Sequence, residues 1–567
     1  MEHRYDIVIV GAGGGGMFAA LEAVRTNPRV SVAVISKVYP TRSHTSAAQG
    51  GVNAALANKD KDDTVELHVF DTVKGSDYLA DQDAVEYLCS QAPAVVRELE
   101  NLGAPFSRLP DGTIAQRPFG GTVKDRCCYC ADKTGHTILH TLFEQCLRRG
   151  VTFFNEYFLL SLEQADGACQ GVIALNMRTG AIETFVAPVV ILATGGHAKM
   201  YWNRSSNAAG NTGDGQAAAL RAGIPLKDME FIQFHPTGLR KSGLLVTEGA
   251  RGEGGYLLNR HGERFMARYA PQKMELGPRD LVARSMETEI REGNGFESDA
   301  GSYLELDLRH LGAEAIRKKL PQIRELSMHF EGVDPIEEPI PVRPTAHYAM
   351  GGIDATMAKT AVRGVYAVGE CACISVHGAN RLGGNSLLDI LVFGKLAGRE
   401  AALEAPEQKA HGITPAAVRR VTDELRSYTS HERYERYGIL REGMGKAMGD
   451  NVGIYRVEER LRRGVEEIRV LRERFRRIRL FDPGSVYNTN LIQILELKNM
   501  LDLALCVAVT ALERQESRGS HYREDFPRRD DGAWHRHSLC TMGEDGEVRL
   551  AHKAVTMGKH PLETRSY

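Results

Sequence analysis

The sequence has no long apolar run, almost no net charge and few cysteines for its length. The best membrane-span candidate, Leu501 to Ala511, is interrupted by Asp502 and is too short to cross a bilayer. A formal net charge of -2 argues against nucleic acid as the main partner. Ten cysteines among 567 residues do not suggest a disulfide scaffold, so a reducing, cytoplasmic setting fits better. A strand pattern begins by Tyr5, so we expect no signal peptide before it.

The pattern that is present belongs to an α/β protein with several domains. The chain has 567 residues, 43% of them hydrophobic, which exceeds what one core usually supports, so two to four domains are expected. An apolar strand at 6–11, a helix from about Gly14 to Arg25 and a second strand at 31–36 predict a βαβ unit that begins a doubly wound sheet. Beyond about 410 the pattern becomes helical, with an apolar stripe between Val457 and Phe475 at spacings of three and four.

The first strand and helix are joined by a glycine motif that is typical of nucleotide binding. Gly11 permits the tight turn, Gly13 lets the backbone approach a pyrophosphate, and Gly16 lets helix and strand pack closely. The motif does not separate NAD from FAD, and a glycine-rich turn without a ligand is the alternative. The second strand ends in Ser36 and Lys37, where an acidic ribose ligand is often found. We therefore expect Ser36 or backbone groups to hold the adenosine ribose, with Lys37 as a further contact to the cofactor.

The segment after that strand carries a resemblance to a known family. Thr41-Arg-Ser-His44-Thr-Ser-Ala-Ala-Gln49-Gly-Gly51 resembles the flavin-attachment segment of the succinate dehydrogenase and fumarate reductase flavoprotein family. In that family the histidine matching His44 is bonded to the 8α-methyl carbon of FAD. For an isolated histidine, an ordinary packing role would be the better interpretation; the surrounding string favours the covalent link.

Further strings follow in the family's order as far as the C-terminal region. They are Gln116-Arg-Pro-Phe119-Gly-Gly, Gly213-Asp214-Gly215, Gln233-Phe-His235-Pro-Thr-Gly, Thr247-Glu248-Gly-Ala-Arg251-Gly, Gly277-Pro-Arg279-Asp, His347-Tyr-Ala-Met-Gly-Gly352, Gly378-Ala-Asn-Arg381-Leu-Gly-Gly-Asn-Ser386-Leu-Leu-Asp389 and Glu516-Ser-Arg-Gly-Ser-His521-Tyr-Arg-Glu-Asp-Phe-Pro527. The resemblance implies a Rossmann-like FAD-binding domain with an inserted α+β capping domain, then a C-terminal helical domain. The predicted ranges are 1–235 and 345–409 for the FAD-binding domain, 236–344 for the capping domain, 410–530 for the helical domain and 531–567 for a C-terminal segment.

The resemblance also implies a site for a four-carbon dicarboxylate. Two carboxylates must be held at a fixed separation, and the planar fork of arginine suits this, which makes Arg381 and Arg279 the candidates. The remaining predicted substrate contacts are His235, His347, Thr247 and Phe119, the last of which packs on the substrate and excludes water. The predicted contacts to FAD are Gly11, Gly13, Gly16, Ser36, Lys37, His44, Asp214, Glu370, Ser386 and Leu387. For any one of these residues alone, a structural role would be the better interpretation.

Proton transfer poses a chemical difficulty at Arg279. The resemblance makes Arg279 the proton donor or acceptor, yet a guanidinium keeps its proton at ordinary pH. Our hypothesis is a relay in which Glu248 and Arg251, three residues apart and on one helical face, resupply the proton as Arg279 passes it on.

Electrons collected on the flavin must leave, and the sequence shows no cluster ligands for them. Cys127, Cys128 and Cys130 contain a C-x-x-C spacing and Cys371 with Cys373 form another close pair, but none matches an iron–sulfur or metal pattern. The resemblance therefore implies an iron–sulfur subunit and a membrane anchor with quinone, with this chain peripheral on the cytoplasmic side. Gln49 resembles the residue more usual in succinate dehydrogenases, which favours succinate oxidation over the alternative, a quinol:fumarate reductase. An aspartate oxidase, which lacks the linking histidine, and a non-catalytic flavin scaffold are the less favoured interpretations.

Overall fold

A parallel five-stranded sheet lies at the centre of the chain's first part. The computed structural model describes residues 1–565. Its strands are Val365–Ala367, Val189–Leu192, Ile7–Val10, Val32–Ser36 and Thr152–Asn155, in this order and all parallel. The predicted βαβ unit is confirmed, with its helix at Gly14–Thr26. The loop between Val10 and Gly14 thus lies at the carboxyl edge of the sheet, where α/β proteins bind ligands.

Two helices beside this sheet pack against each other at very short range. Gly14–Thr26 packs against Asn385–Glu404, whose Gly394 and Gly398 face the partner backbone. A Cβ on Gly398 would lie 2.2 Å from the carbonyl oxygen of Ala19, so no side chain fits there. This contact fixes the start of the Asn385–Glu404 helix, and with it Ser386, relative to the glycine loop.

The inserted part has a sheet and a hydrophobic cluster of its own. Its antiparallel strands are ordered Ile232–Leu239, Ile340–Ala349, Leu304–Asp307 and Tyr256–Leu258. A separate cluster of buried apolar side chains lies between Leu239 and Val342. The predicted boundaries after 235 and 344 both fall inside paired strands, so two continuous strands connect the inserted part to the rest. The division into domains stays a prediction.

The region beyond 410 is helical, as the sequence pattern indicates. Its four long helices are Pro415–Ser427, Tyr437–Asn451, Glu458–Phe475 and Thr489–Glu513. In the third helix Leu461, Val465, Ile468 and Leu471 are buried, whereas Val457 precedes the helix and Phe475 is half-buried. Across residues 1–565, no helix combines the length and the hydropathy that crossing a bilayer requires.

The remaining elements are shorter or connect these parts. The other helices are Val65–Gly75, Gln82–Asn101, Thr134–Arg148, Asp214–Arg221, Glu248–Gly252, Met266–Tyr269, Arg279–Arg291, Ala313–Lys319, Pro321–Phe330 and Asp531–Trp534. Short 3-10 turns occupy Pro40–Arg42, His44–Ala47, Ala198–Tyr201, Met274–Leu276, Arg309–Leu311, Gly369–Cys371 and Ala405–Glu407. Four further sheets contain Glu2–Arg4, Ile182–Val186, Ala168–Asn176 and Tyr157–Ala165; Val52–Asn53, Cys127–Cys128 and Gln116–Arg117; Ala372–Cys373, Gly352–Asp354, Leu226–Lys227, Arg536–Met542 and Val548–Ala554; and Tyr455–Arg456 with Tyr522–Arg523.

A buried histidine ties the C-terminal hairpin to the first part of the chain. His537 Nδ1 lies 2.6 Å from an Asp228 carboxylate oxygen, and Nε2 lies 3.3 Å from one of Asp81. Burial alone would lower the pKa of His537, but the two carboxylates outweigh it and raise the pKa to about 9. The imidazole is therefore protonated at neutral pH and bridges two segments that are far apart in sequence.

This bridge predicts a loss of stability at high pH. Because the folded-state pKa of His537 is raised from 6.5 to about 9, its stabilisation is complete below the unfolded-state pKa and is lost as pH rises through about 9. The contribution is at most about 3 kcal/mol. His537→Gln should lower the thermal unfolding midpoint clearly at about pH 6 and hardly at about pH 10. An equal effect of the substitution at both pH values would contradict the bridge.

Candidate functional site

The glycine loop has no room for a side chain at Gly11 or at Gly16. Gly11 has a φ of 112°, and a Cβ there would lie 2.2 Å from the Ala193 carbonyl oxygen. A Cβ on Gly16 would lie 2.0 Å from the carbonyl oxygen of Gly11, whereas Gly13 is less crowded. The hydroxyl of Thr45 accepts a hydrogen bond from Gly14 N at 3.1 Å. The loop and the segment that carries His44 are therefore in direct contact, as one extended cofactor would require.

His44 lies in a short turn with an imidazole that has lost its charge. Burial, and then the neighbouring Lys199 ammonium, lower the pKa of His44 to about 4. Its Nδ1 is buried and has no hydrogen-bond partner within residues 1–565. A neutral ring nitrogen with a free lone pair is the form that could bond to an electrophilic carbon. The residue therefore fits the predicted covalent link to a flavin.

Lys37 and Asp214, both predicted to contact the cofactor, contact each other. Lys37 Nζ lies 2.6 Å from Asp214 and 2.7 Å from Glu496, and it also reaches Thr212. Burial alone would lower the pKa of Lys37, but the two carboxylates outweigh it and raise the pKa. The ammonium is thus engaged by the protein, and the neighbouring Ser36, the predicted ribose contact, is buried.

Glu370 is a buried carboxyl at the edge of the parallel sheet. A Cβ on Gly196 would lie 2.2 Å from Glu370 Oε1, so only a glycine can face it. The same oxygen accepts a hydrogen bond from Ala349 N at 2.9 Å. Burial raises the pKa of Glu370 to about 7. Such a group suits hydrogen bonding to hydroxyls. Ser386 and Leu387, two further predicted cofactor contacts, lie in the first turn of the Asn385–Glu404 helix.

Arg279 and Arg381, the two arginines predicted to bind the carboxylates, form what we call the clamp. They share a partner that the sequence interpretation missed. Arg279 Nη1 and Arg381 Nη2 each donate to Gln233 Oε1 at 3.2 Å. Gln233 Nε2 donates in turn to Asn380 Oδ1 at 3.0 Å and to the Arg381 carbonyl at 2.8 Å. Gln233 begins one of the family strings, and that position was the only signal for it. One amide therefore fixes both guanidiniums, which come from different parts of the chain.

This pair creates a concentration of buried positive charge. Burial, and then the neighbouring Arg279, lower the pKa of Arg381 to about 9. The Arg381 guanidinium also lies 4.2 Å from the centre of the Tyr348 ring. Two guanidiniums that face each other away from water are best satisfied by an anion, and a dianion would meet both.

The two predicted histidines add neutral donors to the same site. Their ring centres lie 5.1 Å apart. Burial, and then Arg279, lower the pKa of both His235 and His347 well below 6.5. His235 Nδ1 accepts from Thr237 N at 3.2 Å, so the neutral ring carries its proton on Nε2. That N–H is buried without a partner within residues 1–565, whereas His347 Nδ1 contacts Ser206 Oγ at 2.7 Å.

The two arginines of the predicted proton relay both lie beside the carboxylate of Glu248. Arg279 Nε donates to Glu248 Oε2 at 2.7 Å, and Arg251 Nη2 lies 3.8 Å from the same oxygen. Glu248 and Arg251 lie on one face of the Glu248–Gly252 helix, which confirms that part of the expectation. Burial alone would raise the pKa of Glu248, but the two guanidiniums outweigh it and lower the pKa. The carboxylate is thus ionised and lies between two cations.

Phe119 and Thr247 are the remaining predicted substrate contacts, and they lie at the border of the site. The ring of Phe119 packs between two glycines: a Cβ on Gly50 would lie 2.8 Å from it and one on Gly383 2.5 Å from it. It therefore connects the His44 segment with the loop that carries Arg381. Thr247 caps the Glu248–Gly252 helix by accepting from Gly249 N at 3.2 Å, which leaves its hydroxyl proton for another partner.

The cysteines lie outside this chemistry. All ten are free and buried, and burial raises the pKa of Cys127 to about 12. A buried protonated thiol is a poor nucleophile and a poor metal ligand. Within residues 1–565 no group of three or more potential ligand side chains is placed to hold a metal ion.

Comparison with known proteins covers nearly the whole chain. The family model described as "FAD binding domain" matches residues 6–387, and the one described as "Fumarate reductase flavoprotein C-term" matches 441–567. The succinate dehydrogenase flavoprotein subunit of Rickettsia felis is 45% identical over 577 residues, covering 98% of this chain and 96% of its own. The 8-methylmenaquinol:fumarate reductase flavoprotein subunit of Wolinella succinogenes is 44% identical, covering 99% of this chain and 92% of its own. A mutated quinol fumarate reductase of E. coli superposes with a TM-score of 0.96 at 42% identity, covering 100% of this chain and 99% of its own.

The amide of Gln233 generates a prediction about charge. Gln233→Glu would place a carboxylate between Arg279 and Arg381 and so compete with a bound dicarboxylate. The expected loss is about ten- to a hundredfold in dicarboxylate affinity, the value of a charge-assisted hydrogen bond of ~1.5–3 kcal/mol. Gln233→Met, which carries no charge, should weaken binding less. Titration followed by flavin absorbance measures both, and equal affinities for the two variants would remove Gln233 from the clamp.

Proposed function

Since this chain belongs to the family of succinate dehydrogenase and fumarate reductase flavoprotein subunits, we propose that it interconverts succinate and fumarate with a bound FAD. The observation that carries the proposal is the arginine pair bridged by Gln233 beside a carboxylate that contacts Arg279. That arrangement has the charge to hold a dicarboxylate and a group to move a proton at one of its carbons.

FAD fits the residues that would hold it. The glycine loop accepts a phosphate-bearing backbone contact, Glu370 offers a buried acceptor for hydroxyls, and His44 offers a neutral nitrogen. When bound, the flavin supplies the acceptor or donor for the hydride that leaves or enters the dicarboxylate. We propose that it is covalently attached through His44.

The protein's part in the reaction is to hold the dicarboxylate and to move one proton. Arg381 and Arg279 bind the carboxylates, and the Nε2–H of His235 with His347 and Thr247 supply neutral hydrogen bonds that fix the substrate's orientation. These donors also stabilise negative charge that develops on a carboxylate while hydride and proton move separately. Phe119 covers the site and keeps water from it. Arg279 exchanges a proton with the carbon next to the one that exchanges hydride, and Glu248 replaces or removes that proton so the guanidinium is never left neutral.

We propose succinate oxidation as the physiological direction, because Gln49 resembles the residue usual in succinate dehydrogenases. The alternative is a quinol:fumarate reductase, since relatives of both names match this chain at similar identity. The decisive measurement is the ratio of succinate-oxidation to fumarate-reduction rates in the native complex with its own quinone.

Electrons must pass from the flavin to another protein. We propose an iron–sulfur subunit as that partner and a membrane anchor with quinone beyond it, which would hold this chain peripherally at the cytoplasmic side of the membrane. Isolation from native membranes should therefore yield a complex that contains a cysteine-rich iron–sulfur protein.

The covalent link has a direct test. Acid-precipitated and washed protein should stay yellow and give a fluorescent band on a denaturing gel. His44→Ala should abolish that band, because no other ring nitrogen lies at this position, while non-covalent flavin remains bound. Release of all flavin from the unsubstituted protein into the acid supernatant would contradict the link.

A second test separates binding from proton transfer at Arg279. Arg279→Lys keeps a cation but loses the fixed fork that contacts Glu248 and Gln233 at once. Turnover should fall by about a hundredfold or more, the usual contribution of a positioned acid or base. Dicarboxylate binding, followed by flavin absorbance, should fall far less because Arg381 remains. Near-normal turnover of the variant would give the proton role to His235 or His347.

A further inference from the structure

The proposed relay does not reach solvent at its outer member. The Arg251 side chain is fully buried, as is that of Glu248. A proton that passes from Arg279 through Glu248 to Arg251 is therefore still inside the protein. Steady turnover requires a further path, because the relay must be reset after each cycle.

The groups around Arg251 indicate where that path continues. Arg251 Nη1 donates to the backbone carbonyl of Glu275, and the Glu275 carboxylate attracts the same guanidinium. Arg251 Nε and Nη2 are buried and make no hydrogen bond within residues 1–565. Two of the three guanidinium nitrogens of Arg251 thus have no hydrogen-bond acceptor among the described residues.

Glu275 connects this buried point to the surface. Its side chain is 3% exposed, and Arg264 binds both of its oxygens at 2.8 and 2.6 Å. The Arg264 side chain is 39% exposed, and its guanidinium lies 4.0 Å from the centre of the Tyr256 ring. Beyond Glu275 the next charged group is therefore in contact with solvent.

We propose that Glu275 and Arg264 form the outer half of the proton path, so that five side chains alternate from the substrate to solvent: Arg279, Glu248, Arg251, Glu275 and Arg264. The inference rests on the proposed function. In succinate oxidation a C–H bond of the substrate breaks and its proton forms an N–H bond on Arg279, while Arg279 releases another proton to Glu248. Each following member accepts one proton and releases one, and the last proton enters solvent. The electron pair leaves with the hydride, so only the proton uses this path; fumarate reduction runs it in reverse.

The alternation has a physical reason. Burial makes the Arg251 charge costly and lowers the pKa of Arg251, and the carboxylates of Glu248 and Glu275 on either side reduce that cost without removing it. A proton passing along this row moves between neighbouring groups of opposite charge, so no isolated charge crosses the interior.

The test uses the complete enzyme complex and the variant Glu275→Gln. Its kcat should fall about tenfold, with a larger solvent deuterium isotope effect on kcat, because proton exit becomes rate-limiting. Dicarboxylate affinity, measured by flavin absorbance, should stay unchanged because Glu275 does not contact the clamp. Formate, a small acid that reaches the exposed end of the path, should restore part of the rate, and Glu275→Asp should restore most of it.

A matched control and a structural alternative make the result decisive. Glu263→Gln removes another carboxylate of the same region. Glu263 is paired with Arg268, but it is 57% exposed and is not in contact with Arg251. The kcat and the isotope effect of this variant should not change.

Glu275 also accepts a hydrogen bond from Leu257 N at 3.2 Å, so its loss could displace the backbone before Arg279. A lower kcat with an unchanged isotope effect and no formate rescue would show that structural role and overturn the proposal, as would an unchanged kcat. Failure of the proposed function is distinguishable, because the unsubstituted complex would then show no succinate–fumarate turnover.

Discussion

The repulsion between two buried guanidiniums is the constraint on which the site depends. Arg279 and Arg381 lie close enough that each donates to the same amide oxygen of Gln233. Like charges in a low-dielectric interior destabilise each other unless other groups hold and neutralise them. Glu248 neutralises one of them, and Gln233 supplies an acceptor without adding charge. The remaining positive charge is left for a ligand.

The fold supports this constraint by bringing separate parts of the chain together. Arg279 begins a helix of the inserted part, and Arg381 lies in the loop before Asn385–Glu404. Gln233 lies on the strand Ile232–Leu239, which pairs with Ile340–Ala349 and so connects the two regions. The close packing of Asn385–Glu404 on the first helix then sets the distance between the arginine loop and the glycine loop. A change in any of these contacts would alter the separation of the two charges.

The sequence predicts best those features whose chemistry is local. The strand–glycine–helix unit is confirmed because its three glycines, turn and helix lie within a few residues of one another. The position of Glu248 and Arg251 on one face follows from helical spacing alone.

Gln233 was missed because its role depends on two arginines that come from other segments. The contact between the Lys37 ammonium and Glu496 could not be read from the sequence either, because the two residues lie 459 positions apart in the chain. The predicted boundaries after 235 and 344 fall inside paired strands that continue through both junctions, and strand pairing of this kind is not visible in the sequence.

Charge also explains why the two histidines of the site must be neutral. A protonated imidazole beside Arg279 and Arg381 would add a third buried cation, and burial, followed by the nearby arginines, accordingly holds the pKa of His235 and His347 well below 6.5. A neutral imidazole still offers one N–H donor, and in His235 the Thr237 contact directs that donor to Nε2. The site thus combines charged donors, which supply attraction for a dianion, with uncharged donors, which supply direction without further repulsion. A bound dianion would in turn reduce the repulsion between the arginines and favour the contact between the inserted part and the rest of the chain. Ligand binding and the association of these two parts are therefore expected to stabilise each other, since both act on the same pair of charges.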